Sequence, residues 1–289
     1  MLRDIEEATN GLAYENVIGS GDYGEVFQGF LMDNTQVAVK KLFSNRSSKE
    51  SFVREAEAMM LIRHKNLVKF FDIRKFEETS RMLVCEYVDN GNLEQWLHRF
   101  KSKDSPLTWT IRMKIIIGIA KGLAYLHEDT EPPIVHGNIK SSNILVDQQW
   151  NPKISNVEIT KLLGPEYNHL ATAPPIGMPG IAPSRGLKRC IFVSYIAPEY
   201  DSHRGSDEKS DVYSFGVLIM ETFLGKTVVE KELKRILLIA LRCVDFEVEK
   251  RPQMGKVIHM LQPRDLLPSD ENVIKRQTSQ SISLKEDQT

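Results

Sequence analysis

Three glycines near the start of the chain have the spacing of a loop that cradles phosphate groups. Gly19, Gly21 and Gly24 lie between Ile18 and Val26. Because glycine has no Cβ atom, the backbone amides there can approach phosphate oxygens closely. The same spacing is common in hairpin turns. The glycines alone therefore leave two alternatives, a phosphate-binding loop and a plain turn.

A lysine ends the next strand-like run. Lys40 closes the alternating pattern Val37–Lys40, where an ammonium group can neutralise phosphate charge. A surface lysine that ends a strand is the ordinary alternative. In Walker loops and dinucleotide folds the glycines lead directly into a helix, whereas here a strand comes first. Glycine loop, lysine strand and then helix is the order of a protein kinase.

With these motifs the chain resembles a protein kinase, and two further strings are similar to plant receptor-like kinases. They are Leu2–Asn10 (Leu-Arg-Asp-Ile-Glu-Glu-Ala-Thr-Asn) and Arg63–Val68 (Arg-His-Lys-Asn-Leu-Val). The resemblance covers residues 2–263. It implies an α+β, two-lobed protein-kinase fold, with a small antiparallel β-sheet N-lobe carrying one helix and a larger, mainly α-helical C-lobe. It also implies ATP as the cofactor.

The hydrophobic pattern favours the same two lobes. Short β-type runs fill residues 17–88 around one helical stretch, Ser48–Arg63. Helical periodicity dominates after Asn90 and is clearest over Leu107–Glu128. The predicted divisions are an N-terminal extension at 1–13, the N-lobe at 14–88, the C-lobe at 89–263 with an irregular, Pro/Gly-rich activation segment at 164–194, and a disordered polar tail at 264–289.

The connection at 225–233 is shorter than the family pattern implies. An error in the gene model, at this connection and at 164–194, is the alternative explanation of both irregularities.

The resemblance implies nucleotide-binding roles for individual residues of this chain. In the family Lys40 pairs with a helix glutamate, a position that Glu55 matches and Glu57 matches less well. Cys85 takes the gatekeeper position. Ordinary strand packing is the alternative role for the strand residues. The cofactor-binding residues implied are Ile18, Gly19, Gly21, Gly24, Val26, Ala38, Lys40, the backbone groups of Glu86 and Tyr87, and Asn143.

The catalytic loop of the family is matched with two replacements. Its pattern is His-Arg-Asp, four residues and Asn; this chain keeps His136, Lys140 and Asn143 but has Gly137 and Asn138 in place of the arginine and the catalytic aspartate. A neutral amide cannot accept the proton of a substrate hydroxyl. General-base assistance is worth about 10²- to 10⁴-fold, so its loss alone predicts a slow enzyme.

The metal position is also altered. Where the family has Asp-Phe-Gly, the chain has Asn156, Val157 and Glu158. Mg²⁺ prefers charged oxygen ligands, and the two metal-ligand candidates, Asn143 and Asn156, supply only neutral amide oxygens. We therefore expect Mg²⁺ binding to be weak or absent. Glu158, acting as a substitute ligand, is the alternative.

Scaffold positions of the family are retained. The resemblance implies an ion pair between Glu199 and Arg251, and a role for Asp211 in holding the catalytic loop. A helix cap is the alternative role for Asp211. The Gly-Thr pair that precedes Ala197-Pro-Glu199 in the family is absent, which puts peptide docking in doubt.

Composition limits the classes of partner and the location. The 289 residues carry a formal charge of -1, so nucleic acid is not expected as a partner. Three scattered cysteines predict a reducing compartment. The longest aliphatic run, Ile115–Ala120, is too short to cross a bilayer. We expect a cytoplasmic protein whose route to the plasma membrane is through its partners.

The favoured hypothesis is a pseudokinase that binds ATP and acts in signalling through protein partners, with an active receptor-like kinase as one candidate. The alternative is a low-activity serine/threonine kinase, because Lys140 follows Asn138 in the Ser/Thr-type pattern. A third hypothesis is a truncated receptor-like kinase that folds poorly.

Overall fold

The N-lobe is a five-stranded antiparallel sheet in the order β1-β2-β3-β5-β4. In this computed structural model the described residues are 2–21, 24–43, 60–76, 80–98, 105–156, 195–199, 207–223 and 230–262. The strands are β1 (Val17–Gly21), β2 (Gly24–Phe30), β3 (Gln36–Phe43), β4 (Phe70–Phe76) and β5 (Ser80–Glu86). The alternating run Val37–Lys40 read from the sequence lies within β3, which continues to Phe43, and the other four strands account for the short β-type runs predicted over residues 17–88.

Strand alternation gives β3 one core face and one cavity face. Val37 and Val39 are fully buried, while Ala38 and Lys40 point to the opposite face, as successive side chains of a strand must. In the register of the sheet, Lys40 lies beside Val26 of β2 and Leu83 of β5. The strand that was expected to present a lysine therefore does so from the centre of the sheet.

A short N-terminal helix, α1 (Leu2–Ala8), packs on this lobe. Its Ile5 is 3% exposed and joins Phe27, Val37 and Met82 in the N-lobe core. Thr9, fully buried, donates from its hydroxyl to the Ile5 carbonyl oxygen at 2.8 Å. The segment predicted as an extension outside the lobe thus contributes to its core.

The C-lobe is mainly helical, as the sequence pattern predicts. Its helices are α2 (Leu93–His98), α3 (Trp109–Ala124), α4 (Glu208–Phe223), α5 (Glu230–Cys243) and α6 (Met254–Leu261). A two-stranded antiparallel pair, β6 (Ile144–Val146) and β7 (Pro152–Ile154), carries the candidate site. Residues 230–233 of the short connection belong to α5.

Helix α3 begins two residues later than the predicted stretch and extends into a π-helical turn at Tyr125–Asp129. The Thr108 hydroxyl caps it by accepting from the Ile111 N–H at 3.3 Å. Gly118 allows β7 to approach, because a Cβ atom there would lie 2.4 Å from Cγ of Pro152. This packing positions the start of β7, the strand that precedes Asn156.

Asn66, in the Arg63–Val68 string, joins the two lobes near β7. Its side-chain nitrogen donates to the Pro152 carbonyl oxygen at 2.9 Å, and its own carbonyl oxygen accepts from the Ile154 N–H at 2.8 Å. The Val68 N–H in turn donates to the Ile154 carbonyl oxygen at 2.9 Å. These bonds set the position of β7 against the N-lobe.

Aromatic packing of the tryptophans occurs in the C-lobe. Trp96 and Trp150 meet edge to face with ring centroids 4.9 Å apart, and Trp109 packs on Phe223 at 4.8 Å.

In the described ranges no helix is both long enough and apolar enough to span a bilayer. Glu55, Glu57, Glu158 and most of the predicted helix at 48–63 lie outside the described residues, as do segments 164–194 and 264–289.

Candidate functional site

A cavity of about 600 Å³ opens between the sheet and the C-lobe loops. From the N-lobe it is lined by the predicted residues Ile18, Gly19, Gly24, Val26, Ala38, Lys40, Glu86 and Tyr87, and from the C-lobe by Asn138, Lys140, Asn143 and Asn156. The structure thus brings the sequence-predicted residues to one place. Gly21 pairs with Gly24 across the hairpin at the cavity edge.

Several lining residues were not found by sequence reasoning. Val68, Phe70, Leu83 and Leu145 provide apolar surface, which suits a flat aromatic base. These residues could not be identified as cavity-lining from sequence, because buried apolar residues in strands are expected in any core. Leu145 is the central residue of β6, and its neighbours Ile144 and Val146 are fully buried, so strand alternation places its side chain on the other face.

The end of β5 has a fixed geometry. The Glu86 N–H donates to the Lys69 carbonyl oxygen at 2.9 Å, and its carboxylate accepts from the Lys69 N–H at 2.8 Å and from Lys153 Nζ at 2.9 Å. Cys85 beside it lines the cavity, and burial raises the pKa of its thiol to about 12. The thiol is therefore neutral at physiological pH.

The catalytic-loop region is held by Asp211. Its carboxylate, 1% exposed, accepts from the His136 N–H at 2.7 Å, from the Gly137 N–H at 2.8 Å and from His127 Nε2 at 2.9 Å. The cap of α4 is instead Asp207, which accepts from the Ser210 N–H at 2.7 Å. Asp211 therefore has the loop-holding role, and the helix-cap alternative is wrong.

His136 links this loop to the residue before Asn156. Its Nε2 lies 3.0 Å from the Ser155 carbonyl oxygen, and its Nδ1 accepts from the Asn138 N–H at 3.1 Å. A carbonyl oxygen only accepts and an N–H only donates, so the ring is neutral with its proton on Nε2. Gly137 has φ +71°, a conformation that suits glycine.

A chain of side-chain hydrogen bonds, which we call the amide relay, crosses the predicted metal position. Lys40 Nζ donates to Asn156 Oδ1 at 3.0 Å, and Asn156 Nδ2 donates to Asn143 Oδ1 at 2.8 Å. Asn143 Nδ2 donates to the Asn138 carbonyl oxygen at 2.8 Å. Both amide oxygens that were predicted as metal ligands already accept a hydrogen bond.

The described residues that line the cavity do not fit a divalent cation. Amide oxygens are neutral, and those of Asn143 and Asn156 are engaged in the relay. Within the described ranges no group of three or more His, Cys, Asp or Glu side chains could hold a metal ion. The carboxylates among the described lining residues are those of Glu86, engaged by Lys153, and Glu94 on α2.

The cavity does fit the phosphate end of a nucleotide by charge. Lys40 and Lys140 both line it. The pKa of Lys40 is lowered to about 8, chiefly by burial; the neighbouring Cys85 opposes this shift, and the charge of Lys140 adds to it. Two mutually repelling ammonium groups, of which one is poorly solvated, favour an anion between them.

The predicted ion pair of the scaffold is present. Arg251 is fully buried, and its Nη2 donates to Glu199 Oε2 at 2.8 Å, with a second bond from Nη1 to Oε1. The Arg251 guanidinium lowers the pKa of the Glu199 carboxyl. The segment Tyr195–Glu199 is thereby attached to the base of the C-lobe.

Comparison with known proteins identifies the family. The profile described as protein tyrosine and serine/threonine kinase matches residues 12–237. The chain belongs to this protein kinase family. A probable receptor-like serine/threonine-protein kinase of Arabidopsis thaliana is 42% identical over 91% of this chain and 66% of its own length. A probable receptor-like protein kinase of the same plant is also 42% identical, over 91% of this chain and 59% of its own length.

A solved kinase-fold structure is also similar. The pseudokinase domain of BIR2, described as an immune regulator of the RLK/Pelle family, has a TM-score of 0.68 and 28% sequence identity, covering 90% of this chain and 84% of that one. The two-lobed kinase fold and the plant receptor-like kinase relationship are thus confirmed. The chain spans 66% and 59% of the two Arabidopsis relatives, so it corresponds to only part of them.

Proposed function

We propose that this kinase domain is a pseudokinase that binds ATP in the cavity, does not transfer its phosphate efficiently, and acts in signalling through contacts with other proteins. The carrying observation is the amide relay. Asn138 and Asn156 present no carboxylate where phosphoryl transfer needs a base and a metal ligand, and the amide of Asn156 is tied to Lys40. Similarity to the BIR2 pseudokinase domain supports the proposal.

ATP binding is proposed from the cavity itself. Its apolar strand residues suit the base, and Lys40 and Lys140 suit the phosphates. In this proposal Ile18, Val26 and Ala38 surround the base, Glu86 and Tyr87 offer backbone groups to it, and the glycines admit the phosphates. Asn143, held in the relay, is a positioning residue. Glu55 keeps its predicted role as the partner of Lys40, outside the described residues.

A low-activity serine/threonine kinase is the second candidate. It is favoured by Lys140, which lines the cavity two residues after Asn138, and by Asp211, which holds the loop as an active site requires. Phosphoryl transfer depends mainly on positioning and charge neutralisation, so a retained scaffold supports some turnover.

The deciding experiment compares phosphoryl transfer by four purified proteins. These are the natural chain, the single variants Asn138→Asp and Asn156→Asp, and the double variant, each with labelled ATP, Mg²⁺ and a general protein substrate. We expect no transfer by the natural chain and recovery in the double variant, since restoring a general base alone is worth about 10²- to 10⁴-fold.

Lys40→Met is the control for contaminating kinases. Transfer by the natural chain that disappears in Lys40→Met would establish the low-activity kinase and end the pseudokinase proposal. A broad, non-cooperative melt of the natural chain would instead favour the third hypothesis, a poorly folding copy. Protein partners, an active receptor-like kinase among them, and a cytoplasmic location stay predictions.

A further inference from the structure

A second cavity, of about 390 Å³, is lined by residues of α4, α5 and α6 and shares no described lining residue with the cavity between the lobes. Lys209 comes from the start of α4, Arg242 from the end of α5, and Lys256 from α6. Lys250 and Arg251 come from the segment that leads into α6. We call this cavity, defined by its five cations, the basic pocket.

Two of the five cations are neutralised by carboxylates. Arg251 is paired with Glu199, as described above, and Lys250 is paired with Glu247. These two cations therefore add little to the attraction of the pocket for an anion.

The other three cations keep their charge. Within the described part of the chain, no carboxylate lies within ion-pair distance of Lys209, Arg242 or Lys256. Among the described lining residues the opposing charge comes from Glu249, which is exposed. Three cations against one carboxylate leave two net positive charges at the pocket, and an anion placed among them would relieve their mutual repulsion.

Local contacts hold these three side chains at the pocket. Lys209 Nζ donates to the Arg251 carbonyl oxygen. Arg242 Nη1 lies 3.6 Å from Met260 Sδ, and Lys256 lies one turn before Met260 on the same face of α6. An ammonium has three donors and a guanidinium has five, so each cation keeps N–H groups for the oxygens of an anion.

The charge and the neighbouring surface suit a phosphorylated side chain of a protein. A phosphate monoester carries a charge of about -1.5 to -2 at pH 7 and three acceptor oxygens, which complements the net charge of the pocket. Leu238, one turn before Arg242 on α5, is 45% exposed, and Leu241 is 57% exposed. These apolar side chains suit the residues that flank a phosphorylated residue in a peptide.

Nearby carboxylates disfavour an anionic membrane as the occupant. The side chain of Glu247 is 68% exposed beside Lys250, and Glu249 is exposed as well. A flat layer of anionic headgroups would face both carboxylates, whereas a single phosphate group inside the pocket would avoid them.

We propose that the basic pocket binds a phosphoserine or phosphothreonine side chain of a partner protein, with Lys209, Arg242 and Lys256 donating to its phosphate oxygens. The pocket is separate from the cavity between the lobes, so the proposal holds whether or not ATP binds there. It adds a chemical class of partner to the signalling role proposed above.

The test exposes the immobilised natural chain to a pool of peptides with a central phosphoserine or phosphothreonine and random flanking residues. A pool with the same residues unphosphorylated is the reference, and a pool with a central glutamate offers a single negative charge. We expect the phosphorylated pool to be retained about tenfold more than either of the others. A retained phosphopeptide is then titrated by fluorescence anisotropy.

Two single variants test whether the pocket is the site. Arg242→Met and Lys256→Met each remove one exposed cation, and each is expected to raise the dissociation constant of the phosphopeptide about threefold to tenfold. Lys231→Met is the matched control, because it removes an exposed lysine of α5 outside the described lining and should leave the constant unchanged. Thermal melts check that all three variants fold like the natural chain.

Lys40→Met separates the two cavities. It alters the cavity between the lobes and should bind the phosphopeptide as the natural chain does, so loss of peptide binding in this variant would assign the peptide to that cavity and overturn the proposal. Loss or retention of ATP binding has no bearing on the result, and the failure of either proposal is therefore distinguishable from the failure of the other.

The remaining outcomes would each overturn the proposal. Equal retention of the phosphorylated and unphosphorylated pools would mean that the phosphate is not recognised. A loss in Lys231→Met as large as in Arg242→Met and Lys256→Met would mean that general charge, not the pocket, attracts the peptide. Inorganic phosphate that binds as tightly as the peptide would make a free ion the ligand. Cosedimentation with phosphatidylserine vesicles, without retention of phosphopeptides, would make the occupant a membrane.

Discussion

The charge of the cavity depends on pH through the protonation state of Lys40. Burial lowers the pKa of this lysine to about 8, against the ordinary value near 10.4. Below pH 8 the folded protein carries the ammonium that attracts phosphate, and above pH 8 it progressively loses it. The unfolded chain keeps that proton up to its ordinary pKa near 10.4. The free energy of unfolding is therefore expected to increase as the pH rises from about 8 to about 10.4.

The first prediction at the residue scale is that affinity for ATP falls as the pH rises through about 8. If the neutral amine does not hold phosphate, the dissociation constant rises by up to about tenfold per pH unit above that point. Calorimetric titrations between pH 7 and pH 9.5 in buffers of matched ionic strength measure this dependence.

Lys40→Arg is the control for this prediction, because a guanidinium stays protonated over the whole range. Its affinity for ATP, whatever its absolute value, should be nearly independent of pH. A natural chain whose affinity does not change between pH 7 and pH 9.5 would show that the charge of Lys40 is not what holds the phosphates.

At the scale of elements, α4 and the catalytic loop are joined through one carboxylate. Asp211 accepts hydrogen bonds from His136 and Gly137 in the loop that precedes Asn138, and from His127 in the π-helical turn that follows α3. Because one carboxylate on α4 accepts from all three donors, this single side chain determines the position of the loop relative to α4.

We predict that Asp211→Ala lowers the free energy of unfolding by about 2–4 kcal/mol, since it leaves buried donors without an acceptor. Urea titration of the natural chain and the variant measures the difference. Asp207→Ala, which removes only the cap of α4, should lower it by about 1 kcal/mol. Equal losses in the two variants would mean that Asp211 contributes no more than a cap.

At the scale of the whole molecule, α1 extends the N-lobe core beyond the glycine loop. Ile5→Ala is expected to lower the free energy of unfolding by about 2–4 kcal/mol, because it leaves a cavity beside Phe27 and Met82. Thermal and urea unfolding measure the loss. Glu7→Ala, on the exposed side of the same helix, is the matched control and should change stability by less than about 0.5 kcal/mol.

The large divisions of the molecule could be predicted from sequence because each follows from local pattern or from a motif. Alternating residues predicted β3, although the strand continues beyond Lys40 to Phe43, and helical periodicity predicted α3. The relay could not be predicted, because the bond from Lys40 to Asn156 joins residues 116 positions apart. The sequence showed which amides replace carboxylates, but not that these amides bind one another.

The contacts of Asn66 and Ile5 could not be predicted for the same reason, because they join residues that are far apart in sequence. Asn66 reads as one polar residue in a family string, yet it bonds the backbone of β7, 86 positions away. Ile5 lies in a short helix before the motifs, where its apolar neighbours on the sheet are distant in sequence. Such contacts depend on how the elements pack, which no local spacing encodes.

The placement of the tryptophans determines what a fluorescence experiment would see. The chain has three tryptophans, and Trp96, Trp109 and Trp150 all lie in the C-lobe, in the packed pairs described above. Tryptophan emission, excited selectively over tyrosine, therefore reports on this lobe alone, while far-ultraviolet circular dichroism reports on both. Denaturation curves that coincide in the two signals would mean that the lobes unfold as one cooperative unit.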